Sequence, residues 1–217
     1  MIEDLTTKTE NIMADDKKKE DLYLDEKDRK ILSLLENYPE MTQTKMAEYL
    51  NISQPSIGHR IYNLKKKGAY AHTIGINLKK VNLYKNSLSC YMAIVDITTK
   101  DPMNIMEIFK NCPYFLNGFI ISGRHNLCLL FVGENISTLE AIVNGHLRDN
   151  SSIGDIEFNI VISYAKDLII PLKLNLDQDG KPPCGIKHDC KFCGYYKSDR
   201  CLGCPATKNY RGKIWEK

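Results

Sequence analysis

Three short helical patterns stand in a row between residues 26 and 67, separated by two marked breaks, and this leaves the first part of the chain few ways to fold. In the first pattern Ile31, Leu32 and Leu35 share one apolar face, with Leu24 and Asp28 in phase ahead of them. Asn37-Tyr38-Pro39 stops it, because a proline pushes the preceding residue out of the helical region. Thr42 can cap a second helix that buries Met46, Ala47 and Leu50. The second break is Asn51-Ile52-Ser53. Ser53 is a good N-cap, and Pro55 falls in the first turn, where a missing N–H does no harm. A third helix then buries Ile57, Ile61 and Leu64, and Gly68 ends it as a C-cap.

This is the pattern of a helix-turn-helix, with the third helix as the reading element. Its outward positions are polar or small. Gln and Asn can contact adenine in two places, and Ser or His can donate to base edges or phosphates. Lysine and arginine neutralise backbone phosphate. The candidate DNA-contacting set is Ser53, Gln54, Ser56, His59, Arg60, Tyr62, Asn63, Lys65 and Lys66. A three-helix packing module with a solvated polar face is the blander alternative. Gly58, in the middle of the third helix, costs about 1 kcal/mol against alanine. Either it allows close approach to a DNA backbone or it is a tolerated defect.

Charge is distributed unevenly along the 217 residues. Residues 21–80 carry 10 Lys/Arg against 7 Asp/Glu, residues 87–171 carry 5 against 9, and residues 181–217 carry 9 against 3. Basic ends suit nucleic acid, and an acidic middle suits a small ligand or self-assembly. There is no apolar run long enough to span a membrane, and the start of the chain has no apolar segment of the kind found in secretion signals. A cytoplasmic protein is expected, with residues 1–20 as a mobile mixed-charge tail and residues 21–80 as the helix-turn-helix domain.

Residues 87–171 alternate strand and helix signals. The strands are SLSCYMAIVDIT, YFLNGFIIS, LCLLFVG and DIEFNIVISYA, the last with Ile156, Phe158, Ile160 and Ile162 inward. Between them PMNIMEIFKNC forms a helix with Met103, Met106 and Phe109 inward. ISTLEAIVNGHLRDN forms a second, burying Ile136, Leu139, Ile142, Val143 and Leu147. The order βαββαβ is the ferredoxin-like arrangement. The whole is thus an α+β chain: a winged-type helix-turn-helix, a ferredoxin-like domain and a small cysteine knuckle. Cys90, Cys112 and Cys128 sit in apolar surroundings and read as core packing.

A linker, residues 172–183, leads to the cysteine-rich segment 184–217. Five of the eight cysteines, Cys184, Cys190, Cys193, Cys201 and Cys204, fall here, spaced C-x5-C-x2-C-x7-C-x2-C. Two nearby C-x-x-C pairs are a strong metal signal, and Gly194 and Gly203 supply turns. Zinc on Cys190, Cys193, Cys201 and Cys204 is the first expectation, a closed four-thiolate structural site with Cys184 as a possible further ligand. An iron–sulfur cluster is the alternative, favoured by the fifth cysteine and by Pro205 directly after Cys204. A thiol switch or disulfides come third, and His188 could replace one sulfur. With little apolar material of its own, the segment would take its folding energy from the metal. Lys208, Tyr210, Arg211, Lys213 and Trp215 form a basic, aromatic end that either grips nucleic acid or packs Trp215 on the knuckle.

The opening LDEKDRKIL, the turn MAEYLNIS and the ending GHRIYNLKKKGAY, followed by the βαββαβ order, resemble the leucine-responsive regulatory protein/AsnC family over residues 24–166. The resemblance implies a transcription regulator that binds double-stranded DNA as a homodimer or higher homo-oligomer, without catalytic activity. It also implies a small-molecule effector held near the turn Ser122-Gly123-Arg124-His125-Asn126, with Gly123, Arg124, His125 and Asn126 as effector-binding candidates. The turn departs from the family pattern: Asn126 stands at an acidic position, and Arg124 and His125 would favour an anionic ligand or none. The two-domain order is also similar to that of siroheme decarboxylases of haem biosynthesis. An enzyme of that kind would hold tetrapyrrole carboxylates with Arg124, His125, His146 and Arg148.

Overall fold

The computed structural model describes residues 23–77, 90–148, 150–174, 176, 178, 180–184 and 190–215. The tail expected over residues 1–20 and His188 lie outside them. The chain divides between Thr73 and Ile74 into two compact units.

The first unit is three helices: α1 (Glu26–Asn37), α2 (Gln43–Leu50) and α3 (Gln54–Lys66). Each starts on a side chain that accepts an orphan backbone N–H. Asp25 accepts from Asp28 in a reciprocal capping box, Thr42 from Lys45 and Ser53 from Ser56. After α3 the chain turns at Gly68, whose φ of 73° is in the left-handed region that glycine adopts without strain. The core is Ile31, Leu34, Met46, Ala47, Ile57, Ile61 and Leu64. Leu34 takes the place expected of Leu35, because Ile31 and Leu34 are one turn apart on the buried face and Leu35 lies at its margin. No strand occurs among the described residues of this unit, and the short strand that follows, β1 (Ile76–Asn77), pairs with β6 (Ile169–Ile170) inside the second unit.

The second unit is built on an antiparallel sheet of β2 (Tyr91–Thr99), β3 (Phe115–Ile120), β4 (Leu127–Gly133) and β5 (Ile153–Ile160), in the spatial order β3-β4-β2-β5. This is the ferredoxin-like order. Helices α4 (Pro102–Phe109) and α5 (Ile136–Val143) bury Ile105, Phe109, Leu139 and Ile142 against Ala93, Val95, Ile97, Leu127, Leu129 and Phe131. α4 lies close on β3, where a Cβ added at Gly118 would meet Met106.

Four inward assignments shift. Ile105 and Phe109 form the buried face of α4, since Asp101 and Pro102 fix where the helix begins; Met103 is exposed and Met106 only borders the core. Ile136 is largely exposed at the start of α5. Ile162 is 96% exposed, because pairing of β5 with β2 stops two residues earlier. Past Val143 the second helix widens into a π turn, Asn144–Arg148, at an Asn-Gly pair.

The cysteine-rich segment belongs to this same unit. Cys190–Phe192 forms one 3-10 turn, and α6 (Gly194–Lys197) follows. Trp215 is 2% exposed, stacks edge-on with Tyr114 at 5.2 Å and donates its indole N–H to the Lys173 carbonyl at 2.9 Å. Leu172 and Leu176 of the expected linker pack on the core, and Gln178 donates to the Trp215 carbonyl. Both alternatives for Trp215 thus give way to burial in the main core.

Candidate nucleic-acid interface and cysteine chamber

Burial of Ile57, Ile61 and Leu64 fixes which way α3 faces. The opposite side presents Gln54, His59, Tyr62, Lys65 and Lys66 to solvent, with Ser56 and Asn63 partly covered and Ser53 as the cap. Neighbouring side chains pre-orient part of this surface. Asn63 and His59 are hydrogen-bonded one turn apart at 3.0 Å, and the Gln54 amide donates to Gln43 Oε1 at 3.1 Å. The same Gln43 oxygen would lie 3.1 Å from a Cβ at Gly58. The glycine therefore leaves room for the Gln43 amide.

Arg60 differs from the expectation that it faces phosphate. Its guanidinium donates to Asp25 Oδ2 and to Asp28 Oδ1, each at 2.7 Å, and ties α3 to the start of α1. Asp25 is held below the ordinary carboxylate value, first by the Asp28 backbone N–H and then by Arg60. Lys65 sits over the Tyr70 ring at 5.4 Å. The sequence contained a signal for the Arg60 pairing: an acidic capping box is a ready partner for an arginine on a neighbouring helix.

The turn 122–126 is tied to β2 and β5. Asn126 clips the end of β2, accepting from Thr99 N at 2.9 Å and donating to Thr99 O at 2.7 Å. Arg124 and His125 both reach Asp155 Oδ2, at 3.2 and 3.4 Å. Gly123, with φ of 132°, makes the bend. The four side chains of the enzyme reading are therefore engaged with residues of the chain itself. Arg124 and His125 meet Asp155, His146 Nδ1 meets the Ile142 carbonyl and Arg148 meets Asn144.

All five cysteines of the C-terminal segment line one cavity of about 140 Å³. Cys112, Tyr114, Ala141, Ile142, Gly145, His146, Pro182 and Tyr195 also contribute to its wall. Cys193 precedes α6 as its N-cap, and Cys201 and Cys204 flank Gly203, whose φ is 81°. Only glycine fits there, since an added Cβ would stand 2.6 Å from the Asn209 carbonyl. Gly194, expected as a second flexible turn, instead begins α6. Burial raises the Cys201 thiol and pushes Cys204 up to about 12. Burial likewise pushes Cys90 and Cys112 up to about 12, and Cys128 to about 11.

The segment is fastened to the sheet by polar contacts that no local pattern announces. Glu134, at the end of β4, accepts from the Tyr210 hydroxyl and from the Lys213 backbone N–H. Leu202 N donates to Thr138 Oγ1 at 3.0 Å, and the buried Tyr114 hydroxyl donates to the Gly203 carbonyl at 2.7 Å. Arg211 lies over the Tyr196 ring at 3.8 Å and pairs with Asp199.

The winged helix-turn-helix DNA-binding family matches residues 24–69, so this stretch is a DNA-binding domain by sequence as well as by shape. No curated protein sequence matches the chain. Several solved structures share its fold, three of them as follows. AsnC of E. coli is 17% identical, covers 69% of this chain and 99% of its own, and has a TM-score of 0.56. A transcriptional regulator of Neisseria meningitidis, solved with L-methionine, is 20% identical, with coverage of 70% and 97% and a TM-score of 0.55. LrpC of B. subtilis is 19% identical, with coverage of 67% and 99% and a TM-score of 0.52. These likenesses establish an α+β fold of helix-turn-helix followed by ferredoxin-like domain. Among the described residues no helix is long and apolar enough to cross a membrane.

Proposed function

We propose that this chain is a homo-oligomeric, sequence-specific DNA-binding transcription regulator. The observation that carries the reading is the polar, lysine-bearing face of α3, held outward by a closed three-helix core within a matched DNA-binding domain. Such a helix enters the major groove with its N-terminal residues toward the bases. Gln54 and Ser56 are then the base readers, with His59 and Asn63 beside them, while Lys65 and Lys66 meet phosphate.

Self-association is supported by the face of the sheet away from α4 and α5. Ile94 and Leu130 are register partners there, with Phe119 opposite Cys128 and Ile121 exposed two residues further along. These residues leave an apolar strip beside the polar Asp96, Glu157 and Asn159 of the same face; a two-fold dimer would cover the strip by pairing one with another. An effector at the turn 122–126 would be anionic, since it would displace Asp155 from Arg124 and His125.

Selection from a random duplex pool tests the reading. Enrichment of a defined motif by the wild-type chain, relaxed at specific positions in Gln54→Ala, is the expected result. Equal affinity for all duplexes, or no binding at low salt, would overturn it. Phe119→Asp should shift the chain toward monomer in sedimentation; an unchanged oligomer would remove the sheet face from assembly.

A further inference from the structure

The chamber has four properties that belong together. First, its thiols share one wall: Cys184, Cys190, Cys193, Cys201 and Cys204 all line the same cavity. Second, they surround a space. A single zinc needs all four sulfurs about 2.3 Å from one point, hence roughly 4 Å from one another. The space that the five cysteines line is about 140 Å³, more than one ion occupies. Third, the Gly203 N–H points at Cys201 Sγ at 3.4 Å, the kind of amide contact that stabilises a metal-bound thiolate.

Fourth, His146 brings an unused lone pair. Its Nδ1 lies 2.8 Å from the Ile142 carbonyl, which only accepts, so the proton is on Nδ1 and Nε2 carries none. That Nε2 is buried, has no hydrogen-bond partner, and belongs to a residue lining the chamber. A ring fixed through a backbone carbonyl with its other nitrogen bare is the arrangement metal-facing histidines adopt. The π turn places it there, and such turns recur at functional sites.

We propose that the chamber binds a polynuclear iron–sulfur cluster through four of the five thiolates Cys184, Cys190, Cys193, Cys201 and Cys204, with His146 Nε2 facing it from the wall. Inorganic sulfide fills the volume that a lone ion would leave empty, and the irons stand out toward sulfurs spread around it. Each cysteine that ligates releases its proton as the cluster enters. Ala141 and Ile142 would give the cluster an apolar wall on one side. This inference is independent of the DNA-binding reading, because every residue it uses lies in the second unit.

The test uses the full chain, purified without oxygen and reconstituted with ferrous iron and sulfide. Iron and acid-labile sulfide should appear in equal amounts, about two or about four of each per chain, with broad visible absorption and an electron paramagnetic resonance signal in one oxidation state. Single Cys→Ser changes at the five positions, with circular dichroism confirming the fold, should abolish the cluster at four of them. His146→Ala should leave the fold intact and alter the resonance spectrum. One tightly held zinc per chain without sulfide, or a colourless chain that takes up no iron, would overturn the cluster. A spectrum unchanged in His146→Ala would remove that residue from it.

Discussion

The three-helix unit and the cysteine-rich segment are each short, yet they are held in opposite ways. Among the described residues the caps, the apolar core and the Arg60 bridge to Asp25 and Asp28 that hold the first all lie within residues 24–70. The second depends on partners far back in the chain. Trp215 rests on Tyr114 and Lys173, Leu202 on Thr138, and Lys213 and Tyr210 on Glu134. The comparison teaches that a cysteine knuckle need not draw all of its folding energy from metal. Here the sheet supplies a docking surface, so the chamber can be shaped before anything fills it.

The largest expected effect breaks that docking. Trp215→Ala removes a fully buried aromatic and should cost about 3–5 kcal/mol of the second unit's stability. Denaturant unfolding followed by circular dichroism measures this, since the chain has only this tryptophan to report by fluorescence. A loss confined to the last residues, with the sheet unaffected, would show the segment to be separable.

Glu134→Ala is the next. It strands the Lys213 N–H and the Tyr210 hydroxyl in a partly buried site and should cost about 1–3 kcal/mol, read as a fall in melting temperature of the same unit. A neutral result would make those contacts incidental.

The third sharpens the other side of the comparison. Arg60→Ala should lower the stability of the three-helix unit by about 1 kcal/mol and leave the salt dependence of DNA binding nearly unchanged. Lys65→Ala and Lys66→Ala should do the reverse, each reducing the slope of log affinity against log salt by about 1. Matching slopes for all three would return Arg60 to the phosphate contacts.

The smallest effect is acid sensitivity of the first unit. Asp25 is held below its ordinary value of 3.8, so its charged form favours the folded state. That contribution is complete above the ordinary value and is lost as pH falls through the depressed one. An acid melt of Asp25→Asn, in which this part of the slope is missing, checks it.

How far the sequence could be read follows the same division. Thr42, Ser53 and Gly68 announce the ends of α2 and α3 through rules spanning three or four residues, and Ile57, Ile61 and Leu64 fix the face of α3 by period alone. β4 is legible over its whole length because it is apolar and bounded by turns. Errors arise where period competes with a boundary: Asp101-Pro102 rephases α4, and β5 stops before Ile162. The cysteine spacing is visible as a metal motif, but the chamber is not. His146 and Cys112 reach it through a π turn and a loop between 38 and 92 residues away from the cysteines they join, and no local signal spans such distances.

Hydrogen exchange on the full chain tests the central claim most directly, that the cysteine-rich segment is part of the second unit's core. The account predicts that the amides of Leu202 and Arg211, both hydrogen-bonded in the structure, are protected alongside those of β2 and β4 and exchange together with them. Free exchange at Leu202 and Arg211 while the sheet stays protected would contradict it.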